Sequence, residues 1–344
     1  MTPRPEPTPR QRPAGLALLA FLTAAVGLLA GCGPAGGTPA GDVSERTVRV
    51  VATTSMVADL AREVGGDRVE VEGLMGPGVD PHLYRPRESD VTRLVGADLV
   101  LYNGLELEGK MGEVLEQVEG RGIVAEPVAE AIPRDSLLAP PEFQGNPDPH
   151  VWMDVGLWGR VADAVAEALS GLDPTHAATY AANARAYRAR LDSLDGWVRQ
   201  QVARVPPDRR VLVTAHDAFN YFGRAYGFEV RGLQGISTST EAGTADVRDL
   251  AAFVAERQIP ALFVETSVSG RSIEAVIRAV QDRGADVRIG GDLFSDALGD
   301  AGTPEGTYEG MVRHNVSTIV GGLTGEGVTG AEGPEGREGG VVTG

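Results

Sequence analysis

Cysteine is almost absent from this chain of 344 residues, which contains only Cys32. A single cysteine forms no internal disulfide, and once it is modified it leaves no thiolate for a metal. Basic residues are also few, with 31 Lys and Arg against 48 Asp and Glu and a net charge of -17. Nucleic-acid phosphates require a basic face, so this composition argues against a nucleic-acid partner.

One apolar run, AGLALLAFLTAAVGLLAG, lies behind three arginines near the N-terminus and ends at Cys32. A basic stretch, an apolar stretch and small residues before a cut are typical of an export signal. The residues LAGC at 29–32 resemble the lipobox of bacterial lipoproteins, in which the cysteine carries the lipid. An uncleaved membrane anchor is the alternative, because the run is close to bilayer length. We expect export and lipid anchoring through Cys32, in the periplasm or on the outer face of the cytoplasmic membrane.

The rest of the chain alternates between strand-like and helix-like segments in two halves, which predicts parallel sheets covered by helices. The expected fold class is α/β, with two parallel-sheet (β/α)4-type lobes, one long backbone helix between them and a ligand cleft. The predicted boundaries are a signal peptide at 1–31, a flexible tether at 32–46, lobes at 47–172 and 206–322, a linking helix at 173–205 and a disordered Gly/Glu-rich tail at 323–344.

The predicted linking helix lacks helix breakers. Between Pro174 and Val205 there is no proline and no glycine except Gly196, and apolar residues recur at spacings of three and four. Asp173 is the expected cap, with Pro174 at the first helical position. Such a helix extends for about 45 Å, enough to cross the back of two lobes. We therefore expect only small movements between the lobes.

Histidine is scarce as well, and two of the five histidines follow the same Asp-Pro dipeptide, at His82 and His150. Proline restricts its own backbone and that of the preceding residue, so each histidine is presented by a stiff loop. That arrangement suits a metal ligand. Asp-Pro is also common in loops, so the repeat by itself leaves chance open.

His216 and Asp296 each follow a predicted strand of the second half, as His82 and His150 follow strands of the first. Ligands of open parallel sheets bind beyond the carboxyl ends of the strands, so two facing sheets bring these loops together. Three imidazoles and a carboxylate suit a borderline divalent cation. The alternatives are a buried hydrogen-bonded histidine for His216 and a helix cap for Asp296. The remaining histidines, His176 and His314, are expected to lie outside the site.

Five segments resemble one protein family. GVDPHLYRPRESDVTRLVGADLVLYNGLELE, DPHVWMD, VTAHDAFNYFGRAYGFEV, FVETSVS and GGDLFSDALGDAGTPEGTYEGM are similar, in this order, to the metal-receptor lipoproteins of bacterial zinc and manganese ABC importers, closest to TroA-like members. The resemblance implies one transported ion, Zn²⁺ or Mn²⁺, held by His82, His150, His216 and Asp296. Glu265 is at most a support for a ligand there, and a structural role for it is favoured.

The resemblance implies a non-enzymatic receptor that delivers its ion to a cognate ABC permease and ATPase. The expected protein is a monomer that meets the membrane through its lipid. Manganese-type members carry Glu where His216 stands, and three nitrogens with one carboxylate favour Zn over Mn. The alternatives are a metal-binding adhesin, an envelope metallochaperone or a zinc hydrolase. The chain lacks the HExxH helix of many zinc hydrolases.

Overall fold

The computed structural model describes residues 43–326, and the predicted signal peptide and Cys32 lie outside that range. Eight strands are present there, all in parallel pairs. Their bounds are β1 Val48–Ala52, β2 Val69–Gly73, β3 Leu99–Tyr102, β4 Val124–Pro127, β5 Val211–His216, β6 Glu229–Gln234, β7 Ala261–Glu265 and β8 Arg288–Leu293.

The half of the chain before residue 173 forms one sheet of four strands in the order β2-β1-β3-β4. In the centre of the sheet, Val50 of β1 pairs with Val71 on one side and Leu99 on the other. β1 and β3 are rich in buried Val and Leu because helices cover both faces of a parallel sheet. The predicted α/β fold is confirmed for this half.

The second half has two parallel ladders, β5-β6 and β7-β8, instead of one ladder of four strands. β5 lies beside β7. At the carboxyl end of β5, the backbone N–H of His216 donates to Oε1 of Glu265 on β7, at 2.9 Å. A side chain thus takes the place of a backbone acceptor at this junction between the two ladders.

Nine helices accompany the strands in the described part of the chain. The first begins at an N-cap, Thr54, whose hydroxyl accepts from the N–H of Val57. Their bounds are α1 Ser55–Gly65, α2 Glu88–Gly96, α3 Gly112–Glu119, α4 Val155–Leu172, α5 Ala177–Val202, α6 Asn220–Tyr226, α7 Thr244–Glu256, α8 Arg271–Gln281 and α9 Tyr308–Thr324.

The linking helix is α5, with 26 residues and a length of about 39 Å at 1.5 Å per residue. It begins three residues later than Pro174, because Pro174–His176 form a 3-10 turn. Asp173 does not cap α5. Its buried carboxylate instead accepts from the hydroxyl of Tyr180 at 2.8 Å and pairs with Arg68 and His176. These contacts favour a tight turn before the helix.

α5 packs against α1 and α4 of the first half and α9 of the second. From Ala184 onward its buried positions are those that the apolar spacing predicts, but in the first turns Tyr180 is buried instead of the predicted Ala177 and Ala181. The buried residues are Tyr180, Ala184, Tyr187, Leu191, Leu194, Val198 and Val202. They belong to one apolar cluster that includes Leu60 of the first half and Tyr308 of the second. The two halves therefore share a continuous core along α5.

The predicted tether and tail differ from the structure at their inner ends. Val43–Glu45 form a 3-10 turn, and the Arg46 guanidinium bonds the Asp98 carboxylate at 2.6 Å and 3.0 Å. At the other end, α9 continues to Thr324 and Leu323 is buried. Residues 327–344 of the predicted tail lie outside the described range. Within residues 43–326, no helix combines the length and apolar character required to cross a bilayer.

Candidate metal centre

His82 lies in the loop after β2, where the first Asp-Pro-His motif fixes the backbone. Oδ1 of Asp80 accepts from the N–H of His82 at 2.8 Å, which closes a tight local turn. Oδ2 of Asp80 accepts from the hydroxyl of Thr238 in the second half of the chain, at 2.5 Å. Asp80 therefore holds the loop, and neither of these contacts involves the imidazole of His82.

His150 lies before α4, and the second Asp-Pro-His motif acts on its ring as well as its backbone. Oδ1 of Asp148 accepts from the backbone N–H of His150 at 3.0 Å and lies 2.8 Å from Nδ1 of its ring. Oδ2 of Asp148 accepts from the Asn220 amide at 3.2 Å. Because the carboxylate fixes the proton on Nδ1, it leaves Nε2 free to bind an ion. Sequence reasoning missed this role of Asp148, and the repeated motif does not indicate it, since Asp80 in the same tripeptide contacts only the backbone of its histidine.

His216 ends β5, and Glu265 ends the neighbouring strand β7. Nδ1 of His216 lies 2.6 Å from Oε2 of Glu265, and both side chains are buried. Glu265 has contacts that correspond to both roles considered for it. Its Oε1 accepts from the backbone N–H of His216, which is a structural contact, and its Oε2 faces the His216 ring, as a residue that supports a ligand does. Both His150 and His216 thus have a carboxylate behind the ring and present Nε2 to the centre.

Asp296 follows β8 and is 2% exposed. Its Oδ1 lies 3.4 Å from Nε2 of His150, and its Oδ2 lies 3.2 Å from Nε2 of His216. Neither carboxylate oxygen has a hydrogen-bond partner among the described residues. Buried carboxylates are normally paired or bound to a metal, and both oxygens of Asp296 face imidazole nitrogens without a well-formed hydrogen bond, so they fit a cation.

The loop that carries Asp296 is held from the first half of the chain. The indole N–H of Trp152 donates to the carbonyl of Ser295 at 2.8 Å, and the hydroxyl of Ser55 accepts from the N–H of Leu298 at 2.8 Å. The ring of Trp152 also packs edge-on against the His150 imidazole, with centroids 5.2 Å apart. Trp152 therefore connects a ligand candidate of one half with the backbone beside a ligand candidate of the other.

The side chains of His82, His150, His216 and Asp296 form a single buried cluster. One potential ligand atom from each lies within 4.8 Å of all the others. Nε2 of His82 and Nε2 of His150 are 3.3 Å apart. Tetrahedral ligands at about 2.0–2.1 Å from zinc lie roughly 3.3–3.4 Å from one another. The contacts of 3.2–3.4 Å in this cluster therefore have the spacing of ligands around one ion.

Electrostatics in the cluster favour a cation. Burial lowers the pKa of His82 to about 3. Burial also opposes the charged form of His150, but the carboxylates of Asp148 and then Asp296 outweigh it and raise its pKa to about 9. Glu265 and Asp296 likewise raise the pKa of His216. Three buried carboxylates thus create a negative potential around the imidazoles, which a divalent ion neutralises.

The other two histidines lie outside the cluster, as expected. Nδ1 of His176 pairs with the Asp173 carboxylate at 2.9 Å, before α5. Nε2 of His314 lies 2.9 Å from the carbonyl oxygen of Asp292, and its ring packs against Phe294. The five histidines therefore divide into three that converge on one point and two with local partners.

Known proteins resemble this chain along most of its length. The family model for ZnuA, described as zinc-uptake complex component A periplasmic, matches residues 50–322. The manganese-binding lipoprotein MntA of Bacillus subtilis is 48% identical over 304 residues, which are 88% of this chain and 97% of MntA. The zinc-binding protein TroA of Treponema pallidum is 52% identical over 274 residues, which are 80% of this chain and 88% of TroA.

Solved structures match as well. The structure of the periplasmic zinc-binding protein TroA from Treponema pallidum has a TM-score of 0.78 and 51% identity, and the match covers 80% of this chain and 99% of that one. The likeness confirms the predicted fold class and the family resemblance. From the match of residues 50–322 and these identities, the chain belongs to the ZnuA family of metal-binding receptor proteins.

Proposed function

We propose that this protein is an extracytoplasmic receptor that captures one divalent transition-metal ion and delivers it to an ABC-type importer. His82, His150, His216 and Asp296 hold the ion in this proposal. The observation that carries it is the convergence of three imidazole nitrogens on a buried carboxylate without a hydrogen-bond partner. The printed names of the relatives, a manganese-binding lipoprotein and a zinc-binding protein, support the same class of cargo.

Zinc is the proposed cargo. Three nitrogens and one carboxylate favour Zn over Mn in intrinsic affinity, because zinc lies higher in the Irving–Williams order. Identity to relatives does not decide the metal, since MntA and TroA are 48% and 52% identical to this chain. Asp296 supplies the adjustable part of the site, because its two oxygens face different imidazoles and neither is fixed by a hydrogen bond from another residue. Manganese is therefore the second cargo that we propose for the same four residues.

A transport role fits the centre better than hydrolysis. Catalytic zinc sites keep one position open for water, with three ligands from the protein. Here Asp296 provides a fourth ligand atom, and the four side chains are between 0% and 5% exposed. A centre that encloses its ion on all sides is suited to holding and releasing it.

The proposed architecture has two lobes, at 47–172 and 206–322, joined by the linking segment 173–205 that contains α5. Release then requires a small shift that separates the ligands of one lobe from those of the other. The shared core along α5 and the bonds of Trp152 and Ser55 to the loop of Asp296 support a small amplitude. We further propose a monomer, lipid-anchored through Cys32 on a short tether, with a cognate permease and ATPase as partners.

Native mass spectrometry of the mature chain, loaded separately with Zn²⁺ and Mn²⁺ and dialysed, tests this proposal. We expect one retained ion in the wild type and in His314→Ala, which removes a histidine outside the cluster. His82→Ala and His216→Ala should lose the ion while their circular dichroism stays unchanged. A wild-type protein that retains neither metal refutes the site. Normal growth of a deletion strain under chelation refutes import and favours an adhesin or metallochaperone.

A further inference from the structure

The four ligand candidates are not equally distant from solvent. His82 is 5% exposed, Asp296 is 2% exposed, and both His150 and His216 are 0% exposed. Among the four, His82 has the most contact with solvent, which favours an entry and exit route on its side of the centre. The surface next to that residue is the surface a metal-accepting partner must cover.

The segment that follows His82 begins in a turn and continues without regular structure to α2, and its exposed residues alternate with partly buried ones. Leu83, Arg85 and Arg87 are exposed, and we call these three residues the exit rim. The hydroxyl of Tyr84 donates to Oδ2 of Asp90 at 2.8 Å, which holds the segment between the rim residues against α2. The exit rim is thus displayed from a fixed backbone.

The exit rim combines an exposed apolar side chain with two exposed charged side chains. Leu83 is 44% exposed, one of the highest values for a large apolar side chain in the described residues. Within residues 43–326, no carboxylate forms an ion pair with the guanidinium of Arg85 or Arg87, although acidic residues outnumber basic ones in the whole chain. Arg121 and Arg209 also lack an ion pair in this part of the chain, so what distinguishes the two rim arginines is their position beside His82 and Leu83. Two unpaired arginines beside an exposed leucine are typical of a protein contact with an acidic partner.

We propose that the exit rim docks on an acidic extracytoplasmic surface of the permease, so that the ion leaves past His82 directly into the transport path. This inference rests on the proposed receptor function and adds the surface and the charge of the partner. Arginine binds carboxylates with two parallel hydrogen bonds, and Leu83 adds apolar area between them and the exit. An anionic lipid surface is the weaker fit, since two cations do little to offset a net charge of -17.

The experiment uses the full lipid-anchored chain, loaded with zinc, and its permease and ATPase in proteoliposomes of neutral lipid. The rim variant is Arg85→Glu/Arg87→Glu. The matched control is Arg121→Glu/Arg209→Glu, which reverses two exposed arginines that precede β4 and β5, at the opposite ends of the strands. ATP hydrolysis is measured against receptor concentration, and bound zinc is counted by native mass spectrometry.

We expect both variants to retain one zinc ion, because none of the four arginines belongs to the cluster. The rim variant should need about tenfold more receptor, or more, for half-maximal stimulation, because reversed charges repel an acidic surface and slow association. The control should match the wild type, and Leu83→Ala should weaken stimulation with zinc retention unchanged.

Equal stimulation by the rim variant and the wild type overturns the docking surface, and so does an equal loss in the control. A defect that appears only when anionic lipid is added overturns it in favour of a membrane contact. A wild type that retains zinc but never stimulates the ATPase refutes delivery itself, whereas one that retains no zinc refutes the metal site. Failure of the docking surface is therefore separable from failure of the proposed function.

Discussion

The two Asp-Pro-His motifs offer a matched pair of substitutions, Asp148→Asn and Asp80→Asn. Asparagine has nearly the same shape as aspartate and keeps one oxygen acceptor, but it carries no charge. Asp148 lies 2.8 Å from Nδ1 of His150, whereas the contacts of Asp80 are to the backbone N–H of His82 and the hydroxyl of Thr238. The same chemical change therefore acts on a ligand ring at one site and only on a loop at the other.

The expected loss follows from the charge behind the ring. A carboxylate that accepts from Nδ1–H makes the opposite nitrogen a stronger ligand, and removal of such partners costs about 10- to 100-fold in metal affinity. At about 1.4 kcal/mol per factor of ten, Asp148→Asn should cost about 1.4–2.8 kcal/mol. Asp80→Asn retains an acceptor for His82 and a polar partner for Thr238, so its loss should stay below about threefold, or ~0.6 kcal/mol.

Competition with a chelator of known zinc affinity at fixed pH measures both variants and the wild type. Thermal unfolding of the metal-free proteins shows whether either substitution damages the fold. Equal losses for Asp148→Asn and Asp80→Asn would refute the claim that the carboxylate behind His150 tunes its ring. A loss that disappears after correction for stability would refute it as well.

Three further predictions concern pH and the contact between the halves of the chain. Zinc affinity should fall as pH decreases from 8 to 5 in chelator competition, because carboxylates raise the pKa of His150 to about 9 and the ion must displace its proton; constant affinity would contradict this. Trp152→Phe should keep the contact with the His150 ring but lose the hydrogen bond to the Ser295 carbonyl. We expect a free energy of unfolding in urea lower by about 1–2 kcal/mol and several-fold weaker zinc binding. Unchanged zinc affinity would show that Trp152 does not position the Asp296 loop. Burial raises the pKa of Asp59 to about 6, so the folded state favours its neutral carboxyl, and the resulting contribution to stability is greatest below about pH 4 and decreases as pH rises through 6. Relative to Asp59→Asn, the wild type should lose up to about 3 kcal/mol of unfolding free energy between pH 4 and pH 7. Parallel pH profiles of the two proteins would exclude this effect.

The sequence predicts much of the fold, because parallel sheets impose regular patterns. Buried strands such as β3 are continuous apolar runs, and the apolar residues of α5 repeat with the helical period. The start of α5 was missed because a distant residue decides it. Arg68 lies 105 positions before Asp173 and bonds its carboxylate, which no local pattern indicates.

The proximity of these four residues could be predicted from the order of the strands, since His216 ends a strand and the other three lie in loops after strands, at the carboxyl edges of the sheets. The carboxylates that lie behind the histidine rings could not be predicted in this way. Asp148 and Asp80 occupy identical tripeptides, yet only Asp148 contacts its histidine ring. Which oxygen faces which nitrogen depends on side-chain rotamers and on partners such as Asn220, 72 positions away in the chain.

In the proposed receptor, the burial of the four side chains has a consequence for the competition between ions. A centre with so little contact with solvent receives its ion without a water shell, so every water must be stripped off before capture. Mg²⁺ gives up its water reluctantly and prefers oxygen atoms, whereas zinc accepts imidazole nitrogen in exchange. The proposed receptor should therefore reject magnesium through the cost of dehydration, before the geometry of the centre discriminates between transition metals.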